Sequence, residues 1–255
     1  MSVLETAREG RVLRLALNRP EKKNALSTEL CFALADTLDA AMADASVGAI
    51  LLEAKGDVFC TGMDLTEVAE GPLPDLSAVH ERLFTSGMRL TKPLVAAVSG
   101  PALGGGIGLI ANAHVAVAAQ GCSFGLTEIR VGMWPFLIWR SVVSAIGERR
   151  ALALALTGRI FSVNEALQWG LVHEVAPAFE LDDRATATAH HLAEAAPMAR
   201  HLGLRFASEA RSARQEEAGE LARVYRERAF RSEDFREGVA AFQEKRRPVW
   251  NYQEE

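Results

Sequence analysis

A chain of 255 residues that is 49% hydrophobic and 24% charged buries enough apolar surface for one large domain, or for a domain with an appendage. The formal net charge of −5 and a pI near 5.8 argue against nucleic acid or an anionic membrane as the main partner, and no apolar run approaches the roughly 20 residues that span a bilayer. Three widely spaced cysteines, Cys31, Cys60 and Cys122, suggest neither a disulfide framework nor a zinc ribbon, so no metal is expected and the expected location is the reducing cytoplasm.

Arg11 to Asn18 alternates polar and apolar residues as a half-buried strand does, and Arg19-Pro20-Glu21 ends it. A helix follows, with Ser27 as its cap and Leu30, Leu34, Leu38 and Met42 as its apolar stripe. Gly48 to Ala54 is a second strand. It leads into Phe59-Cys60-Thr61-Gly62-Met63-Asp64-Leu65, a glycine turn and helix start at which Asp64 is placed to bond the free amides of the first turn. Gly71 to Asp75 (GPLPD) cannot continue a helix and is either a mobile lid or a plain surface loop. Helix resumes over His80 to Leu90, and Lys92-Pro93 breaks it.

Val95 to Asn112 (VAAVSGPALGGGIGLIAN) reads as strand, turn and buried helix start. Three consecutive glycines, Gly104 to Gly106, leave bare backbone at a helix N-terminus, where amides without intrahelical partners suit an anion or a developing oxyanion. Tight helix-on-strand packing without a ligand is the alternative. His114 to Ala118 is another strand, Gln120 to Glu128 is rich in turn residues and ends in a carboxylate, and Gly132 to Pro135 is a second turn. From Leu137 helical patterns dominate, with a stop at Gly158, a capped helix over Ser162 to Trp169 and a last strand over Leu171 to Val175. Leu181 to Ala195, Pro197 to Ala210, Glu216 to Arg228 and Ser232 to Lys245 then follow as helices with no strand between them, a helical region with no sheet of its own to cover. Their alanine-rich faces fit either subunit contacts or packing within the chain.

Three chemistries compete for these motifs. Gly106 to Ala111 formally fits the dinucleotide pattern G-x-G-x-x-A, but the acidic residue about 20 positions on, Glu128, lies beyond a further turn. Gly121-Cys122-Ser123-Phe124-Gly125 fits a nucleophile elbow, with Asp182 or Asp183 and His190 or His191 in order, but Leu126 to Gly132 is poorly suited to the helix an elbow requires. The third reading joins Gly62-Met63 with Gly104-Gly105, two turns whose amides could converge on one carbonyl oxygen as it becomes an enolate, beside one carboxylate that moves the proton.

Phe59 to Leu65, Gly100 to Gly106 and Phe124 to Ile129 together resemble the three ordered signatures of the enoyl-CoA hydratase/isomerase (crotonase) superfamily. Leu17 to Pro20 with Asn24-Ala25-Leu26, and Glu237 to Phe242 with Glu244-Lys245-Arg246, are similar to its first and last landmarks, so the likeness runs from about Val12 to Trp250. It implies an α/β fold, a spiral of repeated ββα units over residues 1–195 that holds the acyl-CoA site, with a helical C-terminal region over 196–255 that drives assembly into a homotrimer or a dimer of trimers. It implies that the amides of Met63 and Gly105 hold the thioester oxygen and that Glu128 is the catalytic acid-base. Lys23, Ala25, Asp64 and Leu65 would border the coenzyme A channel, and Phe242 and Lys245 would reach the adenosine phosphate, often that of a neighbouring subunit. No cofactor is implied, since coenzyme A arrives with the substrate.

Two departures from the family pattern set the expected reaction. Hydratases of the family carry two glutamates, and the position of the first is Gly108 here; where they have a glycine-rich turn after the second, this chain has Trp134-Pro135-Phe136-Leu137, which reshapes the acyl pocket. One carboxylate suits a proton shuttle from C2 to C4 better than water addition. Hydration with a substitute acid from Thr66 to Glu81 (Glu67, Glu70 or Glu81), thioester hydrolysis, and acyl-CoA binding without turnover remain the alternatives. Apolar neighbours such as Phe124 and Ile129 are expected to raise the pKa of a buried Glu128.

Overall fold

Runs such as Ala49-Ile50-Leu51-Leu52 and Leu94-Val95-Ala96-Ala97-Val98 are buried along their whole length, the pattern of parallel strands covered on both faces. In the computed structural model, which describes residues 2–71 and 75–252, they form the centre of a six-stranded sheet. The strands, in chain order, are β1 (Leu4–Glu9), β2 (Val12–Leu17), β3 (Ala49–Ala54), β4 (Leu94–Val98), β5 (Ala102–Leu103), β6 (Val115–Ala119), β7 (Ser123–Gly125), β8 (Ile160–Ser162) and β9 (Glu174–Ala176). The large sheet runs β1-β2-β3-β4-β6-β9, parallel except for the antiparallel β1–β2 pair, and a smaller sheet runs β5-β7-β8.

The helices are α1 (Thr28–Ala43), α2 (Leu65–Ala69), α3 (Leu76–Phe84), α4 (Ser86–Arg89), α5 (Gly105–Asn112), α6 (Trp139–Ile146), α7 (Glu148–Thr157), α8 (Val163–Trp169), α9 (Leu181–Ala193), α10 (Pro197–Ala210), α11 (Gln215–Phe230) and α12 (Glu233–Glu244). Three successive units share one plan. A strand of the large sheet (β3, β4, β6) is followed by a shorter extended piece (Cys60, β5, β7) that joins the next such piece, and then by helix. This is the expected α/β spiral of ββα units.

Ser27 accepts the Leu30 amide to start α1, whose Leu30, Leu34 and Leu38 are buried. Ser162 and Glu165 form a reciprocal cap on α8, and Gly158 ends α7 in the left-handed conformation expected of a stop.

Several elements differ from the sequence reading. β1 was not anticipated because five of its six residues are exposed: an edge strand with charged side chains gives no apolar alternation to read. β5, β7 and β8 are only two or three residues long. The last strand covers Glu174–Ala176 rather than Leu171 to Val175, because the Leu171 and Val172 amides turn back to the Ala166 carbonyl and pairing with β6 starts only afterwards. The helix expected from His80 begins at Leu76 and breaks at Thr85, whose hydroxyl bonds the Glu81 carbonyl. The Gly71 to Asp75 segment, read as either a lid or a plain surface loop, falls mainly on residues 72–74, outside the described residues.

The helical region does have a sheet to cover. α9 packs across β2, β3, β4 and β6 through Ala185, Ala189 and Ala193, and a Cβ on Gly48 would lie 2.8 Å from the Ala193 carbonyl oxygen, so glycine permits that approach. α10, α11 and α12 pack mainly on one another, with α10 also against α4. Among the described residues no helix is long and apolar enough to cross a membrane.

Candidate active site

Gly62 and Gly105 bring two distant stretches of chain together. The segment through Met63 pairs with Leu26, which donates to the Gly62 carbonyl (2.8 Å) and accepts the Asp64 amide (3.1 Å). Cys60 pairs with Ala102 and accepts the Leu103 amide at 2.9 Å. Gly62 adopts φ +88°, and a Cβ built on it would lie 3.0 Å from the Gly105 nitrogen. Neither the Met63 nor the Gly105 amide donates to a protein group among the described residues, and both residues line a cavity of about 390 Å³. Gly105 is also the first residue of α5, where the helix leaves its amides unsatisfied. Two unpartnered donors at an apolar cavity suit an oxygen that gains negative charge.

Glu128 lines the same cavity. Its Oε1 would lie 3.2 Å from a Cβ on Gly104 (φ +50°), so the carboxylate rests over bare backbone one residue from the Gly105 amide. Its Oε2 is enclosed without a hydrogen-bond partner. Burial pushes the Glu128 carboxyl above the ordinary range, while its own backbone amide works the other way. Burial is thus the cause, as expected, but Ile129 is no part of it: that residue is exposed and leans toward Gly158.

Gly108 is buried in α5, and a Cβ there would meet the Ile138 Cγ2 at 2.3 Å and the Phe84 ring at 2.9 Å. Apolar side chains fill the volume that a first glutamate would need. Of the acids considered as substitutes, Glu67 accepts the Thr28 amide (2.8 Å) while Glu70 and Glu81 are exposed, and none of the three lines the cavity.

Trp134, Pro135, Phe136, Leu137 and Ile138 form one cavity wall and Leu26, Phe84 and Leu65 contribute to others; Trp134 packs on Trp139 with ring centroids 5.4 Å apart. Neither Lys23 nor Ala25 lines the cavity itself: Lys23 is exposed in left-handed backbone (φ 52°) with its carbonyl accepting the hydroxyl of the cavity-lining Thr61 at 3.3 Å, and the half-buried Ala25 directly precedes the cavity-lining Leu26. Asp64 caps α2 and pairs with Arg19 at 3.0 Å. Burial alone would raise its carboxyl, but the Arg19 guanidinium and the Glu67 and Thr66 amides outweigh that and hold it below the usual range. Phe242 (85% exposed) and Lys245, which ends α12, do not line the cavity that holds Met63, Gly105 and Glu128.

His80, which sequence reasoning passed over, also lines the cavity. It belongs to the buried stripe Val79, His80, Leu83 and Phe84 of α3, and a histidine within an apolar helical stripe was the one available signal. Burial holds it below the ordinary imidazole range, with the Glu67 charge acting in the opposite sense.

The competing motifs come apart. Gly106 serves packing, since a Cβ on it would lie 2.4 Å from the Cys60 carbonyl oxygen. Ser123 lies in β7 paired to β8, while Asp182 pairs with Arg14 and His190 with Glu9. Among the described residues no group of histidine, cysteine and acidic side chains could hold a metal ion.

The chain resembles known proteins over nearly its whole length. Residues 7–253 match the family described as enoyl-CoA hydratase/isomerase. The 2,3-dehydroadipyl-CoA hydratase of Escherichia coli K12 is 34% identical over 254 residues, covering 97% of this chain and 98% of that protein. The 1,2-epoxyphenylacetyl-CoA isomerase of the same organism is 33% identical over 245 residues, covering 93% and 94%. The crystal structure of an enoyl-CoA hydratase from Mycobacterium smegmatis superposes with a TM-score of 0.93 at 31% identity, covering 97% of this chain and 98% of that one.

Proposed function

The chain belongs to the enoyl-CoA hydratase/isomerase family, and on that premise we propose that it is an enoyl-CoA isomerase, shifting a double bond in an acyl-CoA thioester through a stabilised enolate. The Met63 and Gly105 amides hold the thioester oxygen. Glu128, ionised, removes a proton from C2 of a 3-enoyl thioester; the electron pair moves into the C2–C1 bond and onto the oxygen, and the same carboxyl returns the proton to C4. The pair of unpartnered amides beside one half-buried carboxylate, Glu128, whose Oε2 is enclosed, carries this reading. The filled volume at Gly108 favours isomerisation over hydration by two glutamates.

Lys23, Ala25, Asp64 and Leu65 border the path of coenzyme A in this reading. Phe242 and Lys245 complete it from a neighbouring copy in a trimer or a dimer of trimers in the cytoplasm. The exposed Phe235, Val239 and Phe242 on α12 support such an assembly.

The test is to incubate the protein with 3-enoyl-CoA and with 2-enoyl-CoA and to follow the absorbance of the conjugated thioester, with Glu128→Gln as control. Conjugation should appear from the 3-enoyl substrate and be lost in the variant. If the two proteins behave alike on both substrates, the catalytic assignment fails, and retained coenzyme A affinity would then favour a binding protein without turnover.

A further inference from the structure

His80 is a buried polar side chain of the cavity that the enolate chemistry leaves unused. It is only 6% exposed, its Nε2 is enclosed without a partner, and its ring has no hydrogen bond among the described residues. Three other imidazoles of the chain have partners. The Nδ1 atoms of His114 and His173 accept the Leu94 and Ala116 amides at 2.9 and 3.0 Å, and His190 faces Glu9 at 3.1 Å. A buried polar group left bare is unfavourable, and a native exception asks for a reason. Here the ring forms part of a cavity wall, so a ligand can supply what the chain does not.

The ring's place says which part of the ligand it meets. His80 packs against Phe84 with centroids 5.5 Å apart. Phe84 in turn closes on both Gly105 and Gly108, its ring lying 3.1 and 2.9 Å from Cβ positions built there. His80 therefore stands one aromatic ring beyond the Gly105 amide, whereas Glu128 approaches over Gly104. Most of the cavity lining, Leu26, Phe84, Leu137 and Ile138 included, is apolar; of the other polar lining residues, Ser77 is exposed and the Thr61 hydroxyl donates to the Lys23 carbonyl.

We propose that His80 determines specificity by hydrogen-bonding an oxygen carried by the acyl group beyond C2, so that hydroxy- or oxo-acyl thioesters bind in preference to plain hydrocarbon chains. A hydrocarbon chain leaves the imidazole unpaired, and a site built to bond a substrate oxygen discriminates strongly against the analogue that lacks it. The inference rests on the acyl-CoA reading above.

The experiment measures equilibrium binding to Glu128→Gln protein, which does not turn the ligand over, using hexanoyl-CoA, 3-hydroxyhexanoyl-CoA and 4-hydroxyhexanoyl-CoA. One hydroxy compound should bind at least about tenfold more tightly than hexanoyl-CoA. Adding His80→Phe should abolish that preference without weakening hexanoyl-CoA binding, and adding His80→Gln should keep part of it. Equal affinity for all three ligands, or a preference that survives His80→Phe, overturns the role of His80 and leaves the acyl-CoA reading intact. Failure to bind any of them overturns both. If His80→Phe does not fold, the same comparison is made with His80→Leu and His80→Gln.

Discussion

A methyl group on Gly62 would lie 3.0 Å from the backbone nitrogen of Gly105 and 3.0 Å from the Leu103 carbonyl oxygen. The two turns touch backbone to backbone, and Gly62 is held at φ +88°, where an L side chain is strained. Gly62→Ala should push the Gly105 amide away from the oxygen it is proposed to hold. The expected loss is on the order of 10²–10³ in kcat, the effect of removing one oxyanion donor, with a stability loss of about 1–3 kcal/mol from backbone strain. Turnover of a 3-enoyl-CoA with thermal melting measured in parallel checks both. Unchanged kcat in a folded variant would remove the Gly105 amide from the mechanism.

Glu128→Gln separates the catalytic from the structural part of that residue. Removing a general base should lower kcat by about 10²–10⁴, while stability at neutral pH should rise, because an enclosed carboxylate oxygen without a partner is replaced by a neutral amide. The sign with pH follows from the raised carboxyl. The native state binds the proton more tightly than the unfolded state does. Its contribution is full below the unfolded value and is lost as pH rises through the higher folded one. The stability gain of the variant should therefore shrink toward zero in acid, and the acidic limb of the wild-type rate profile should lie above the range of an ordinary carboxyl. Denaturant melts at several pH values check the first expectation and kcat/KM against pH the second.

A second glutamate cannot simply be restored. Gly108→Glu would drive its Cβ into Ile138 and Phe84 and bring a carboxylate among them; overpacking alone typically costs about 1–3 kcal/mol. Pairing it with Ile138→Ala should recover part of the melting temperature and, on the proposed mechanism, give hydration of a 2-enoyl-CoA that the parent lacks. Hydration by the parent at a comparable rate would count against one-carboxylate chemistry.

These residues also mark what the sequence could disclose. Met63, Gly105, Glu128 and Trp134 do share one cavity, because glycine turns and a carboxylate leave signals that survive without knowledge of the fold. The buried runs of β3 and β4 were legible for the same reason. β1 was not, since an exposed edge strand has no apolar periodicity. α9 was misread as having no sheet to cover because its contact face is mostly alanine, which reads alike on a sheet or against a partner. His80 escaped attention because the region held three acids, and sequence alone does not distinguish the bare imidazole from Glu67, which accepts the Thr28 amide at the start of α1.

His114 gives the last prediction, on acid stability. Its Nδ1 accepts the Leu94 amide at 2.9 Å at the head of β4, a bond that requires a ring nitrogen without a proton. Burial lowers its pKa to about 4; the Gly87 carbonyl opposes the shift and Arg211 adds to it. An unfolded histidine titrates near 6.5, so between these values the unfolded chain binds the proton and the native chain does not. The contribution is present above about pH 6.5 and is lost as pH falls toward 4, at most roughly 3 kcal/mol. His80 acts in the same direction, so the comparison must be made between variants. Urea midpoints of the parent and of His114→Gln across pH 4 to 7.5 should diverge, with the parent falling more steeply as acid is added. Parallel curves would mean that the Leu94 bond survives protonation and that His114 does not set the acid limit.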